Sequence, residues 1–272
     1  MSDEPASHIV VRVATMEDLD DLTKIAQAGF PDDPEFDYRF PHRQKYPDDH
    51  WRWTRREYEG YLNQPDKYAV LLATLPTNQK SDEYNDEHKQ ERELNRSWPV
   101  SVALAVWDMA VTTESQVSGL FPLHASGKVI NCGRPLISLY PVDIGIDQRR
   151  DANPEHMLEF ANTLSSAFET HFAKYAGNQI HLWLLTTHPD FRRRGAGSAL
   201  CRWGLQLAQK RGQPVTVLAS WMGKTLYEQL GFQTLGIVVV QVPSEEEKLE
   251  VSCLERKPEH EMTSGRGSCI IL

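Results

Sequence analysis

The feature that most constrains the fold is an apolar run that passes directly into a glycine-containing helical pattern. Residues Ile180 to Thr187 have the composition of a buried strand, and the apolar face of a helix begins at Leu200. Arg192 to Gly197 lies between them and has glycines at two alternate positions. Glycines let backbone amides approach a ligand, and the first amides of a helix are unpaired donors. The junction therefore predicts a strand–loop–helix unit that binds an anion, although a tight turn with exposed arginines has the same glycines.

Apolar periods elsewhere extend this unit into an alternation of strands and helices. Thr15 and Asp18 resemble a capping box, which opens a helix with Leu19, Leu22 and Ile25 on one face. Such an alternation predicts a mixed α/β sheet covered by helices. The other predicted strands are 8–13, 67–75, 100–107, 215–219 and a hairpin of 232–242 with 249–255, and the other predicted helices are 51–63, 155–175 and 223–230.

Four segments lack a regular period. Residues 31–49 are rich in proline, aspartate and aromatic side chains, which predicts irregular structure. Residues 76–99 and 109–154 are predicted to be two insertions, and residues 257–272 a flexible tail. We therefore predict one domain over residues 8–256, followed by that tail.

Charge and cysteine usage limit the class of partner. The net charge of −9 disfavours a nucleic-acid partner, because binding phosphates requires clustered cations. The N-terminus lacks a secretory pattern, and no apolar run is long enough to span a membrane. The cysteines lie far apart, which favours reduced thiols over disulfides or a metal site. The four cysteines are Cys132, Cys201, Cys253 and Cys269. We expect a cytoplasmic protein that binds no metal.

The sequence between the predicted strand and the following helix resembles that of one protein family, and the resemblance extends beyond the glycines. Residues 187–200, THPDFRRRGAGSAL, resemble the signature of the GNAT acetyltransferases, in which a His-Pro-Asp-aromatic turn precedes Q/R-x-x-G-x-G/A. Residues 219–232, ASWMGKTLYEQLGF, resemble the second strong element of the family, and residues 11–18 resemble its opening. Neither a Walker loop nor a dinucleotide fingerprint has this glycine spacing. The resemblance implies a GNAT-like α/β fold: a mixed, mostly antiparallel, twisted sheet flanked by helices, here with two loop insertions.

The resemblance also implies a reaction, the transfer of an acetyl group from acetyl-CoA to a primary amine. Backbone amides of Arg193 to Ser198 would hold the CoA pyrophosphate, and the end of the preceding strand would pair with the pantetheine arm. The residues implied in cofactor binding are Leu185, Thr186, Thr187, Arg192, Arg193, Arg194, Gly195, Ala196, Gly197 and Ser198.

Direct acetyl transfer needs a neutral amine, a stabilised oxyanion and a proton for the leaving thiolate. By resemblance, Tyr227 would be the general acid beside the CoA sulfur, and a packing aromatic is the structural alternative. His181 occupies the position of the glutamate base in the histone-acetylating branch, and Asp143 or a chain of waters are the alternatives. Cys201 is predicted to be a buried packing thiol, and His188 to shape the turn.

The last four residues indicate a second property. Cys269–Leu272 fits the C-a-a-X pattern of prenylation, and a terminal leucine favours a geranylgeranyl group. A single lipid needs a second signal for firm anchoring, and the cations upstream are scattered. Membrane association through Cys269 is therefore an alternative localisation. A catalytically silent acyl-CoA-binding module or a membrane-tethered interaction module is the alternative function, and the amine acceptor and the oligomeric state stay open.

Overall fold

A computed structural model describes residues 9–76, 99–109, 145–146 and 148–259, and the structural statements below concern these residues. Their centre is one seven-stranded sheet. The strands are β1 (Val10–Val13), β2 (Tyr68–Leu75), β3 (Val100–Asp108), β4 (Ile180–Thr187), β5 (Val215–Ala219), β6 (Gln233–Val240) and β7 (Leu249–Arg256).

The described residues also form six α-helices. Short 3₁₀ turns lie at Met16–Asp18, Ala173–Tyr175 and Pro189–Phe191. In this part of the chain, no helix combines the length and the apolar character that a membrane span requires. The helices are α1 (Leu19–Gly29), α2 (Pro34–Arg39), α3 (Pro47–Leu62), α4 (Pro154–Phe172), α5 (Ala196–Arg211) and α6 (Trp221–Gln229).

The strand order in the sheet is β1-β2-β3-β4-β5-β7-β6. β4 and β5 run parallel, whereas every other neighbouring pair is antiparallel. The predicted hairpin is present, since β6 pairs with β7 along its whole length. The predicted fold class, a mixed and mostly antiparallel sheet flanked by helices, is confirmed.

Helices cover both faces of the sheet because alternate strand residues point to opposite sides. Leu71 and Ala105 belong to the core beneath α5, whereas Leu72 and Leu104 belong to the core beneath α1 and α3. The α1 face contains Leu22, which is fully buried, as the helical period predicted. α4 packs on β6. The two ends of the domain are thus joined through one continuous sheet with a core on each side.

The prediction of irregular structure over residues 31–49 is wrong in two places. Residues 34–39 form α2, and α3 begins at Pro47, four residues before the predicted start at 51. Each helix has a proline in its first turn, where backbone N–H groups have no partner within the helix, so the N–H that proline lacks is not needed. Asp33 caps α2, because its Oδ1 accepts a hydrogen bond from the backbone N of Glu35 at 3.0 Å. The proline and aspartate residues that indicated a loop are helix starts.

The end of the second predicted insertion belongs to the core. Asp151 is fully buried and accepts hydrogen bonds of 2.9 and 2.6 Å from Arg149. Its Oδ2 also lies 2.7 Å from Nδ1 of His50 in α3. A buried carboxylate requires such partners, and a search for apolar periods does not find them. Residues 1–8, 77–98, 110–144, 147 and 260–272 lie outside the described residues, so the expectations for them stay predictions.

We expect Gly204→Ala in α5 to destabilise the fold. A Cβ at residue 204 would lie 2.3 Å from Cζ2 of Trp107, whose side chain is fully buried. Overpacking of this kind costs about 1–3 kcal/mol. At an exposed helical position the same change would stabilise the fold by about 1 kcal/mol, so the sign of the effect tests the contact. Chemical denaturation measures the free energy of unfolding.

The matched control repeats Gly204→Ala in a Trp107→Leu background. There the added methyl group has space, so the loss of unfolding free energy should be smaller than in the native background. An unfolding free energy that Gly204→Ala leaves unchanged or increases would contradict the packing described above.

Candidate functional site

β4 and β5 begin as neighbours and then separate. Three residue pairs join them, from Ile180 opposite Val215 to Leu182 opposite Val217. Beyond these pairs, β4 continues to Thr187 beside β3 alone. The register with β3 shifts at Trp183, which is the extra residue of a β-bulge, and bulges bend the strand that carries them. The ends of β4 and β5 therefore border an opening in the sheet.

The loop after β4 is shaped to present its amide groups. Arg193 and Gly195 have left-handed backbone φ angles of 63° and 89°. Left-handed residues within a turn direct successive N–H groups into one concave site, which is an anion-binding arrangement. Both residues and Arg194 between them are exposed, and α5 begins directly afterwards with its own unpaired amides. The predicted phosphate loop thus has the backbone conformation of an anion site.

Gly197 joins this loop to the opening between the strands. A Cβ on Gly197 would lie 3.5 Å from Leu226, 3.7 Å from Oγ1 of Thr187 and 4.0 Å from Leu185. The first turn of α5 therefore meets the end of β4 and the side of α6. Ser198 follows in the same turn and is half-buried, whereas Ala196 is buried. The structure brings most of the predicted cofactor residues to one place.

The side chain of Thr186 faces away from this place. It is buried, and a Cβ on Gly29 would lie 2.3 Å from its Oγ1, so the end of α1 rests directly on it. Only the backbone of Thr186 is left for the predicted contact with the cofactor.

Arg192 braces the end of β4. Its guanidinium donates hydrogen bonds to the carbonyl oxygens of Gly29 at 2.8 Å and of Thr187 at 3.3 Å. It also donates to a carboxylate oxygen of Asp32 at 2.5 Å. The side chain predicted to bind phosphate therefore connects β4 to the end of α1. The positive charge exposed beside the loop comes from Arg193 and Arg194.

Tyr227 is buried in α6 beside the opening. Its ring packs on Phe232 with the ring centroids 5.6 Å apart, and the described residues give its hydroxyl no hydrogen-bond partner. Burial raises the pKa of Tyr227 well above 10, and the nearby Cys201, Glu35 and Asp33 raise this pKa further. The phenol therefore stays protonated at neutral pH, as a proton donor must.

Two acidic residues that the sequence did not single out lie close to Tyr227. Asp33 joins the start of α2 to the end of β5, because Oγ of Ser220 donates a hydrogen bond of 2.5 Å to its Oδ2. Glu35 is half-buried, and its Oε1 is inaccessible to water and has no hydrogen-bond partner. Burial, with Asp33 as the second cause, raises the pKa of Glu35 to about 8. The Asp-Pro helix start was the one available sequence signal for this pair.

His181, the predicted base, lies in the core beneath α4. The ring is 2% exposed and contacts the rings of Phe168 and Trp183. Its Nδ1 lies 2.8 Å from Oγ1 of Thr216. Burial lowers the pKa of His181 to about 3, so the imidazole is a weak base at neutral pH. This environment disfavours the predicted role and favours a packing role, because the bulge and α4 enclose the ring.

Of the other residues singled out in the sequence, two have the predicted environment and two lie outside the described residues. Cys201 is fully buried, as predicted, and burial raises the pKa of its thiol to about 12. His188 shapes the turn as predicted, because its Nδ1 accepts a hydrogen bond from the backbone N of Asp190 at 3.3 Å. Asp143 and the prenylation candidate Cys269 lie outside the described residues.

One group of metal-ligand side chains occurs in the described part of the chain. Ligand atoms of His156, Glu245 and Glu247 lie within 4.8 Å of one another. Nδ1 of His156 lies 2.7 Å from the carbonyl oxygen of Tyr38, and its Nε2 lies 2.6 Å from Glu245. Both of these partners are hydrogen-bond acceptors, and they hold the ring in place between α2 and the residues after β6. A reaction without a metal stays a prediction.

Known proteins share both the sequence pattern and the fold. A sequence model of the acetyltransferase (GNAT) domain matches residues 164–234. A protein named acetyltransferase from Stachybotrys chartarum is 25% identical over 235 residues, which is 86% of this chain and 84% of the relative. The crystal structure of mosquito arylalkylamine N-acetyltransferase like 5b superposes with a TM-score of 0.54 at 13% identity, covering 92% of this chain and 99% of that one.

The strand order, the loop before α5 and the similarity to known acetyltransferases are those of an acyltransferase. These matches support the GNAT superfamily of acetyltransferases as the family of this chain, and the domain model covers residues 164–234. The matched segment runs from α4 to β6 and so includes the opening and the loop. Acetyl transfer is therefore the general chemistry of the chain.

We expect Cys201 to resist alkylation in the folded protein. Its thiol is buried and has a pKa of about 12, so almost no thiolate forms at pH 8, and a reagent cannot reach it. Iodoacetamide treatment followed by peptide mass spectrometry should label Cys201 only after denaturant is added. Labelling of Cys201 in the native protein at the rate of an unfolded thiol would contradict its burial and would reopen a covalent cysteine mechanism.

Proposed function

We propose that the protein transfers an acetyl group from acetyl-CoA to a primary amine by direct attack. The observation that carries the proposal is the juxtaposition of the opening between β4 and β5 with the exposed amide loop at the start of α5. An opening in a sheet beside an anion site suits an extended ligand with a charged end. Acetyl-CoA has this form, because its phosphates lie toward the nucleotide end and its thioester ends the pantetheine arm.

The loop fits the phosphate end of such a ligand. A Cβ placed on Gly195 has no atom nearer than 3.9 Å, so there is open space in front of the loop. Amides of Arg193 to Ser198 would bind the pyrophosphate, with the α5 N-terminus and the two exposed arginines adding positive charge. The backbone of Leu185 to Thr187 would pair with the pantetheine arm. The thioester would then point toward Tyr227, passing between Gly197 and the side of α6 at Leu226.

Tyr227 would then protonate the departing thiolate. Its pKa, raised by burial, keeps the proton on the phenol at neutral pH, so the proton is available when the C–S bond breaks. Attack by the amine requires no protein nucleophile, which agrees with the buried, protonated thiol of Cys201.

An amine acceptor suits the other side of the opening. Asp33 supplies negative charge there, and the partly buried rings of Phe30 and Trp183 supply an apolar wall. Amines are cations in water and are attracted to such a site and to the net charge of −9. The fold neighbour named arylalkylamine N-acetyltransferase acts by its name on amines, but at 13% identity the likeness concerns the fold.

We expect calorimetry to detect binding of acetyl-CoA to the native chain and to show at least a tenfold loss in Gly195→Asp and Arg194→Glu. The first variant puts an anion and a side chain where φ is 89°, and the second reverses an exposed charge. Arg211→Glu is the matched control, because Arg211 is equally exposed but lies at the opposite end of α5. It should bind as the native chain does.

The outcomes distinguish an enzyme from the alternative functions. Binding followed by acetylation of amines in a screen of primary amines would support the proposal. Binding without turnover of any amine would favour a catalytically silent acyl-CoA-binding module, with or without a membrane tether at Cys269. No binding to the folded native chain would reject acetyl-CoA as the cosubstrate.

We expect Tyr227→Phe to lower kcat by roughly 10²–10⁴ and to leave the Kd for acetyl-CoA unchanged, because only the proton donor is removed. Tyr46→Phe is the control, since Tyr46 precedes α3 and packs under Arg150. Steady-state kinetics on the best amine of the screen measure both. A Tyr227→Phe variant with native kcat would show that the phenol has a packing role only.

A further inference from the structure

We propose that Glu35 is the general base that accepts a proton from the amine acceptor, an inference that rests on the proposed function. The resemblance to the histone-acetylating branch predicts the base in β4, where His181 is enclosed by the core. The structure assigns the role instead to the first turn of α2, on the side of the opening that faces Tyr227.

The position of Glu35 is fixed by its neighbour. Asp33 uses one carboxylate oxygen to cap α2 through the backbone N of Glu35, at 3.0 Å. The other oxygen accepts the hydrogen bond of Ser220 at 2.5 Å, directly after β5. The first turn of α2 is thereby attached to the rim of the opening, and the Glu35 side chain belongs to that turn.

Glu35 has the environment of a functional carboxylate. Its Oε1 is out of contact with water and has no donor within reach. Leaving a buried acceptor unpaired is unfavourable, so such a group is unusual in a residue that serves only stability. Asp37, two residues further along α2, has a side chain that is 62% exposed and pairs with Arg43 at 2.5 Å. The same short helix therefore has one exposed, ion-paired carboxylate and one carboxylate with a buried, unpaired oxygen.

Charged and titratable groups on three sides act on Glu35. Asp33 lies before it, Arg39 follows one turn later and Tyr227 lies across the opening. Nε of Arg39 donates to the backbone carbonyl of Glu35 at 3.2 Å, and its guanidinium lies over the ring of Phe160 at 4.5 Å. Arg39 lowers the pKa of Glu35, but burial and Asp33 outweigh it and hold the pKa at about 8. A carboxylate with this pKa is a far stronger base than an ordinary glutamate.

The proton transfers balance with two protein groups. An alkylammonium gives one proton to the Glu35 carboxylate, and the lone pair so released forms the C–N bond at the thioester carbonyl. As the C–S bond breaks, Tyr227 gives its proton to the thiolate sulfur. The nitrogen returns a second proton to the Tyr227 phenolate and keeps the third in the amide. Glu35 then releases its proton to water, and the enzyme is restored.

The first test is the pH dependence of kcat/KM for acetylation of 2-phenylethylamine and of its less basic β,β-difluoro analogue. In the native chain the rate should rise with pH through about 8, because Glu35 must lose its proton to act as a base. If the rising limb of this pH profile reflects a protein group, it lies at the same pH for both amines. If it reflects the amine, it shifts with the basicity of the amine. Glu35→Gln should lower kcat/KM by roughly 10²–10⁴ and abolish the shared limb.

Asp37→Asn is the matched control, because it removes one carboxylate from the same helix at an exposed position. It should keep the native rate and the native limb. If Glu35→Gln acetylates both amines at the native rate with the native limb, Glu35 is not the base, and acetyl transfer itself still stands. If the native chain acetylates no amine, the proposed function fails and the role of Glu35 fails with it.

A second readout does not depend on turnover. The pKa of Glu35 is raised in the folded protein, so the folded state holds the proton more tightly than the unfolded state does. Its contribution to stability is complete below the ordinary glutamate pKa and is lost as the pH rises to about 8. We expect the native chain to lose Tm between pH 5 and pH 9 and Glu35→Gln to lose less. Equal losses in both chains would show that Glu35 is not the unpaired, buried carboxyl described here.

Discussion

The separation of β4 from β5 is the constraint on which the rest of the structure depends. A parallel pair of strands ordinarily continues its ladder along both strands, because unpaired peptide groups inside a protein are costly. Here the ladder ends at Leu182 and Val217. The bulge at Trp183 turns β4 aside, and β5 ends at Ala219, so the free peptide groups of β4 face an opening instead of a neighbouring strand. A ligand with its own donors and acceptors can complete that edge.

Side-chain bonds between distant parts of the chain hold the opening in shape. On one side, Arg192 attaches the end of β4 to the end of α1 and to Asp32, 160 residues earlier. On the other side, Asp33 attaches α2 to Ser220, 187 residues later. The segment between α1 and α2 therefore contacts both strands that border the opening. It also holds Glu35 near enough to Tyr227 to raise the pKa of the phenol.

The sequence predicted those parts of the fold and of the site that have local signals. Strand β4, the loop and α5 follow each other without interruption, so composition, glycine spacing and helical period all appear within residues 180–211. Glu35 and the burial of His181 could not be predicted in this way. The first depends on Asp33 reaching Ser220 across the fold, and the second on Phe168 of α4 covering β4. The Asp33–Pro34 pair fits a loop or a capped helix equally well, and tertiary packing decides between them.

Hydrogen–deuterium exchange with and without acetyl-CoA tests most directly whether the opening between β4 and β5 is the cofactor site. Peptides that cover residues 183–187 and 193–198 should exchange more slowly when acetyl-CoA is added, because the ligand pairs with their amides. Residues 215–217 of β5, already paired with both neighbouring strands, should show no change. Protection confined to other parts of the chain, with these two segments unaffected, would show that the cofactor binds elsewhere.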